Sequence, residues 1–350
     1  METQEILQSA ARAVIAWFGE HRRALPWRED PTPYHIWLSE IMLQQTRIEA
    51  VIPYYERFLQ QLPTVQALAA VEDDKLMKLW EGLGYYSRAR NLKKAAVCLT
   101  ENFGGALPAD YAALKKLPGI GPYTAGAIAS IAFGLPEAAV DGNVLRILTR
   151  LLAWEADITQ QRTKEELTAL LRAVYPSGKA AADLTQGLME LGQTICLPVG
   201  APKCEACPIG GLCKAYLRQE TERYPVRSPK KVRRIEARTV FLLRCGDKIA
   251  LSRRPNTGLL AGMWEFPNTA EHLTAEQAAS FLVEQGINIQ SLTPCGEAKH
   301  IFTHVEWHMT GFFALCEGEN ENFFWKSKEE IQKTCAIPSA FRYYYRQLFS

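Results

Sequence analysis

Four cysteines, Cys196, Cys204, Cys207 and Cys213, fall within eighteen residues in the spacing C-x7-C-x2-C-x5-C, directly after a helical stretch. A chain that carries such a set is constrained to bring the four thiols together. They can bind a tetrahedral zinc ion or anchor a [4Fe-4S] cluster, and spacing alone does not separate the two. The other five cysteines (Cys98, Cys245, Cys295, Cys316 and Cys335) are scattered, as packing cysteines normally are. The opening "METQEILQSAARAVIAWFGEHRR" lacks the order of regions of a signal peptide, and no apolar run is long enough to span a bilayer. A cytoplasmic protein with no membrane association is expected, and in a reducing compartment clustered cysteines indicate metal rather than disulfides. Lys203 and Lys214 each adjoin a cysteine of the loop, where they could meet a phosphate backbone.

The 350 residues exceed the usual span of one core, so two domains are expected. From Gln4 to Ile195 apolar residues recur at three and four positions, in "ILQSAARAVIAWF", "ALAAVEDDKLMKLW" and "NVLRILTRLL" among others, which predicts a stack of about ten short helices. The stretch "RYPVRSPKKVRRIEAR" (223 to 238) holds seven basic residues, one acidic residue and two prolines, and reads as a basic linker. Beyond it "TVFLLRCGDKIALSRR" predicts two strands around a Gly-Asp turn and "IFTHVEWHMTGFFALC" another strand, while "TAEQAASFLVEQG" and "SKEEIQKT" predict helices packed on a sheet. The expected division is an all-α domain over 1–216, including the cysteine loop 196–213, a linker over 217–234 and an α+β domain over 235–350. The formal charge of +2 is too small to argue for a polyanionic partner by itself.

Within the helical part, "WLSEIMLQQT" (37 to 46) places a carboxyl, Glu40, inside an apolar run. An unpaired buried charge costs several kcal/mol, by rough estimate, so Glu40 either meets a partner or lies on a solvated stripe with Gln44 and Arg47. "LPGIGPYTAGAI" (117 to 128) joins two helical segments through Gly119 and Gly121, which is either a tight connection or a turn that lets backbone N–H groups approach a phosphate. In "VDGNVLRI", Asp141 precedes a helix and suits an N-cap.

Taken together, the "LPGIG" hairpin, the aspartate downstream and the four-cysteine loop resemble the endonuclease III superfamily of helix-hairpin-helix DNA glycosylases, whose members carry an iron-sulfur cluster. "LPWR", "SEIMLQQTR", "GLGYYSRARNL", "PYTAGAI" and "VDGNVLRI" are similar to the adenine DNA glycosylases within it, and "LLAGMWEFP" and "FTHVEW" extend the likeness over essentially the whole chain. The resemblance implies a [4Fe-4S] cluster on Cys196, Cys204, Cys207 and Cys213, although the first interval is seven residues where six is commoner. Relatives that also cut the strand place a lysine where this chain has Tyr123, so a monofunctional glycosylase is expected.

That resemblance implies a substrate, double-stranded DNA containing adenine opposite 8-oxoguanine, and a monomeric enzyme. It makes Glu40 the acid that protonates the adenine and Asp141 the anion facing the sugar, with Tyr123 and Asn143 positioning them. Arg23 and Gln186 would border the adenine pocket, Gly119 and Gly121 the backbone phosphate. Gln45 and Tyr85 match the family's wedge residues beside the orphaned base, and Leu43 and Thr46 are expected to contact the DNA as well. The second domain resembles a MutT-like module in which Phe302, Thr303 and His304 match the 8-oxoguanine recognition loop. It lacks the Glu-rich helix that holds Mg²⁺ for pyrophosphate hydrolysis, so binding rather than a second reaction is expected. Tyr85 as a core aromatic and His304 as a buried strand histidine are the plain alternatives.

Overall fold

A computed structural model describes residues 2–229 and 232–349. Met1 and Ser350, and Lys230 and Lys231 of the expected linker, lie outside the described residues. Helices follow one another as α1 (Thr3–His21), α2 (Pro26–Glu29), α3 (Pro33–Leu43), α4 (Ile48–Gln61), α5 (Val65–Ala70), α6 (Asp73–Trp80), α7 (Ser87–Phe103), α8 (Tyr111–Leu114), α9 (Pro122–Phe133), α10 (Gly142–Leu152), α11 (Gln161–Arg172), α12 (Lys179–Thr194) and, after the cysteine loop, α13 (Lys214–Leu217). Hydropathy resolves fewer of these because α2 and α8 are four residues long, too short to show a period. Among the described residues no helix is long and apolar enough to cross a membrane.

Two compact units emerge, one formed by Met1–Ala70 with Asn91–Pro229 and the other by Val71–Arg90 with Lys230–Ser350. The stretch 71–90 falls inside the range expected for the helical domain, yet its contacts are with the second unit. Lys78 Nζ donates to the Cys335 carbonyl (3.2 Å), the Ile337 N–H donates to Glu81 Oε1 (2.8 Å), and Arg90 Nη1 donates to the Ala261 carbonyl (2.8 Å).

In the first unit the apolar stripes of α1, α10, α11 and α12 meet in one core that includes Val14, Val144, Leu148, Leu167, Leu184 and Leu191. Helix α9 is buried from Thr124 through Ser130, and Gly134 closes it in the left-handed conformation (φ 66°).

The second unit holds a seven-stranded sheet of β1 (Arg234–Cys245), β2 (Lys248–Arg253), β3 (Trp264–Glu265), β4 (Asn268–Thr269), β5 (Ile289–Ile301), β6 (Val305–Cys316) and β7 (Phe324–Ser327), in the order β3-β2-β1-β6-β5, with β4 beside β1 and β7 beside β2. Strands β1 and β6 run parallel from Arg234↔Val305 to Arg244↔Leu315, and the other pairs are antiparallel. Both faces are covered. Val240, Leu242, Trp307 and Met309 pack with Phe341 and Tyr344 on one side, and Phe241, Leu243, Phe312 and Ala314 pack with α14 (Ala275–Glu284) on the other. Burial on both faces is why "TVFLL" reads as a continuous apolar run rather than an alternation. Helices α15 (Lys328–Thr334) and α16 (Arg342–Phe349) complete the unit.

Candidate active site

Helix α3 starts at a Thr32 cap whose hydroxyl accepts the His35 N–H (3.3 Å), with Pro33 at the first turn, and ends at Leu43. Glu40 is 6% exposed, so it is not part of a solvated stripe with Gln44 and Arg47, which lie beyond the helix. Its partner comes from α9. The Tyr123 hydroxyl donates to Glu40 Oε2 at 2.8 Å. Burial pushes the Glu40 carboxyl up to about 7; the Tyr123 hydrogen bond pulls it down, the charge of Asp141 raises it, and that of Arg28 lowers it. Near neutrality this carboxyl can carry a proton and give it up.

Asp141 is the N-cap of α10. Its Oδ1 accepts the backbone N–H groups of Asn143 and Val144 (both 2.9 Å), and the Asn143 amide donates to Oδ2 at 2.7 Å. The capping geometry and the second donor thus hold one carboxylate from two directions. Asn143 Oδ1 in turn accepts from Arg146 (3.0 Å), which also donates to the carbonyls of Gly192 (2.7 Å) and Cys196 (2.8 Å).

Four residues of this neighbourhood escaped the sequence reading. Glu190, 1% exposed on α12, pairs with Arg28 at 2.9 Å and with Arg23. Arg28 also donates to Gln186 Oε1 (3.0 Å), so the expected Arg23 and Gln186 belong to a network whose centre is Glu190. Arg146 and Arg150 are the other two, at 3% and 6% exposure within "VLRILTRLL". Two arginines on a helix buried from Val144 to Leu152 were the available signal, because such groups stay inside only when paired.

Arg150 Nη1 donates to the Cys196 sulfur at 3.2 Å. Cys196, Cys204, Cys207 and Cys213 line one cavity with the apolar side chains of Ile147, Leu191, Ile195, Pro202 and Ile209, and none is in a disulfide. The lining contains no carboxylate or imidazole. Among the described residues no three Cys, His, Asp or Glu side chains converge closely enough to hold a single metal ion.

The hairpin Leu117–Gly121 lies between α8 and α9, with Gly119 at φ 76° and Gly121 at the α9 N-cap, where no side chain caps the first turn. Lys115 and Lys116 beside it are exposed. Gln45 (φ 58°) and Tyr85 (φ 48°) are two of the few non-glycine residues in the left-handed region, a strained conformation that clusters at functional sites. Tyr85 is 45% exposed, not a core aromatic; it belongs to the second unit, whereas Gln45, also exposed, belongs to the first with the partly buried Leu43 and Thr46.

In the second unit Phe302, Thr303 and His304 form the turn between β5 and β6, closed by the Phe302 N–H donating to the Val305 carbonyl (2.8 Å). The Phe302 ring packs edge-on to His300 (4.6 Å) and Trp307 (4.8 Å), while Thr303 and His304 are exposed. His304 is therefore not a core histidine.

A helical fold with a hairpin, a buried proton-holding carboxyl and a capped aspartate defines a base-excision DNA glycosylase of the helix-hairpin-helix class. Residues 38–173 match the HhH-GPD superfamily base excision DNA repair proteins, and residues 239–347 match the NUDIX domain. Solved structures similar to the chain include a thermostable thymine-DNA glycosylase (TM-score 0.56, 29% identity, covering 62% of this chain and 99% of that one) and a non-covalent endonuclease III–DNA complex (TM-score 0.52, 25% identity, 63% and 99%). Among curated proteins it is similar to the adenine DNA glycosylases of Homo sapiens (32% identity over 95% of this chain and 73% of the relative), Rattus norvegicus (33%, 88% and 70%) and Buchnera aphidicola subsp. Baizongia pistaciae (33%, 87% and 85%). The chain belongs to the adenine DNA glycosylase family.

Proposed function

We propose that this chain hydrolyses the N-glycosidic bond of adenine mispaired with 8-oxoguanine or guanine in duplex DNA, acting as a monomer. The observation that carries this reading is the Glu40 carboxyl, buried against Tyr123 and pushed up to about 7. Adenine is a poor leaving group until its ring is protonated. Glu40, protonated near neutrality, supplies that proton at N7 and afterwards takes one from the attacking water. Positive charge develops on the sugar as the bond breaks, and Asp141, fixed by Asn143, offers a carboxylate to it.

The adenine must leave the helix to reach these groups. Gln45 and Tyr85 each match a wedge residue of the family, and a side chain inserted in this way offsets part of an unstacking cost of roughly a few kcal/mol. The network of Arg23, Arg28, Gln186 and Glu190 offers donors and acceptors to a flipped base, and Gly119, Gly121 and the uncapped first turn of α9 suit a phosphate. With Tyr123 where a lyase holds an amine, the reaction stops at the abasic site. Thr303 and His304, exposed on a turn braced by Phe302, test the lesion opposite.

The cysteine cavity suits a [4Fe-4S] cluster held by Cys196, Cys204, Cys207 and Cys213. Four thiols, largely apolar walls and one guanidinium are a donor set that fits such a cluster. When bound, the cluster would tie the loop 196–213 to itself just after α12, beside Arg150 of α10.

The test is incubation with duplexes carrying one adenine opposite 8-oxoguanine, guanine or thymine, followed by hot alkali. Alkali-dependent breaks at the adenine opposite 8-oxoguanine and guanine, and none opposite thymine, are expected. No alkali-labile site would overturn the reading, and breaks before alkali would overturn its monofunctional part.

A further inference from the structure

A third arginine is buried besides Arg146 and Arg150, and the mechanism above does not use it. Arg88, the second residue of α7, is 8% exposed. Burial lowers its pKa only to about 10, so the guanidinium is charged near neutrality. It belongs to the turn 81–86 that joins α6 to α7. Three residues of that turn have positive φ: Gly82 (102°), Gly84 (71°) and Tyr85 (48°). Glycine adopts such a backbone at little steric cost, whereas a tyrosine has to be held there.

Both peptide planes that flank Tyr85 are pinned. Arg88 Nη2 donates to the carbonyls of Leu83 (3.2 Å) and Gly84 (3.1 Å), and Trp80 Nε1 donates to the same Gly84 carbonyl (3.1 Å). On the other side the Arg88 backbone N–H donates to the Tyr85 carbonyl (2.9 Å). The Gly84 carbonyl lies in the peptide that enters Tyr85 and the Tyr85 carbonyl in the one that leaves it, so these bonds together set its φ and ψ. The guanidinium carbon also stands over the rings of Trp80 (5.4 Å) and Tyr85 (5.5 Å). Trp80 is fully buried and anchors the arrangement, while Tyr85 is left 45% exposed.

An arginine in a DNA-binding protein is ordinarily a phosphate contact. One that is buried, with Nη2 committed to two main-chain carbonyls, is placed to shape the turn instead. We propose that Arg88 is a positioning residue for the wedge: it holds the turn 82–85 in the positive-φ form that presents the Tyr85 ring to the orphaned base. The inference rests on the wedge role given above to Tyr85. Arg88→Met keeps the apolar stem and removes the donors, and Arg88→Lys keeps the charge without the planar fork.

The test measures affinity of the full chain for a duplex with 2′-fluoro-2′-deoxyadenosine, which resists cleavage, opposite 8-oxoguanine, and for the same duplex undamaged. Tyr85→Ala should weaken lesion binding about tenfold, the size of one lost base–aromatic stack, and Arg88→Met should do the same. Undamaged DNA should be bound as before, whereas loss of a phosphate contact weakens binding to every sequence. The double variant should bind the lesion no more weakly than Tyr85→Ala, because Arg88 acts through that ring; general loosening of the fold would add its own loss. Arg88→Lys should behave as Arg88→Met does, and it decides the matter if Arg88→Met fails to fold. Unchanged lesion affinity in the Arg88 variants, full rescue by lysine, equal weakening on undamaged DNA, or additive losses in the double variant would overturn the positioning role alone. Undiminished lesion affinity in Tyr85→Ala would overturn the wedge reading and this inference with it.

Discussion

Glu40 shows how one residue can be read from sequence in outline but not in state. Its place in "WLSEIMLQQT" marks a carboxyl inside an apolar helix, and the structure adds the Tyr123 hydroxyl 83 positions away in the chain. Burial holds its folded pKa at about 7, above the ordinary 4.5. Between those values the folded state keeps a proton that the unfolded chain releases. Stability on this account is full below about 4.5, declines as pH rises, and is lost by about 3 kcal/mol once pH passes 7. Thermal unfolding should therefore show Glu40→Gln gaining on the unmodified protein between pH 5 and pH 8. Excision should decline above pH 7 as the acid is lost. Because the Tyr123 hydrogen bond lowers the Glu40 pKa, Tyr123→Phe should move that decline to higher pH; a shift to lower pH would contradict the assignment. Arg28 and Glu190 were not legible, since their pairing spans 162 positions and neither local segment marks the distant partner.

At the scale of elements, local signals were read well where a single segment decides the outcome. The Asp141 cap, the glycines at either side of Ile120 and the Gly-Asp turn between β1 and β2 all follow from residue chemistry within four or five positions. Strand β5, its pattern broken by Pro294 and Gly296 at a register shift, and the one-turn helices α2 and α8 carry too little periodicity to be found that way. What joins elements was also hidden. Gly192 on α12 illustrates it, because a Cβ there would stand 2.6 Å from the Asn143 Cβ. Helix α12 can press against the N-terminus of α10 only with hydrogen at that position. Gly192→Ala should displace Asn143 from Asp141 and slow excision roughly tenfold or more, with binding of a lesion duplex kept. Equal excision by the variant in single-turnover assays would show that the contact yields without moving the carboxylate.

For the molecule as a whole, two units were legible because composition and periodicity change along the chain, whereas the affiliation of 71–90 with the second unit depends on contacts that no local pattern encodes. The four cysteines carry a direct chemical expectation: purified protein should be brown, with iron and sulfide in equal amounts, and a colourless protein containing zinc would contradict the cluster. Substituting His304 should weaken the preference for 8-oxoguanine over guanine as partner, seen as a smaller ratio of affinities for the two duplexes, while single-turnover rates on both stay unchanged. The most direct test of the central claim is the release of free adenine from an adenine:8-oxoguanine duplex by the unmodified chain and by Glu40→Gln, measured together with duplex affinity. Release by the first, with tight binding and no release by the second, is the expected result; substantial turnover by Glu40→Gln would contradict it.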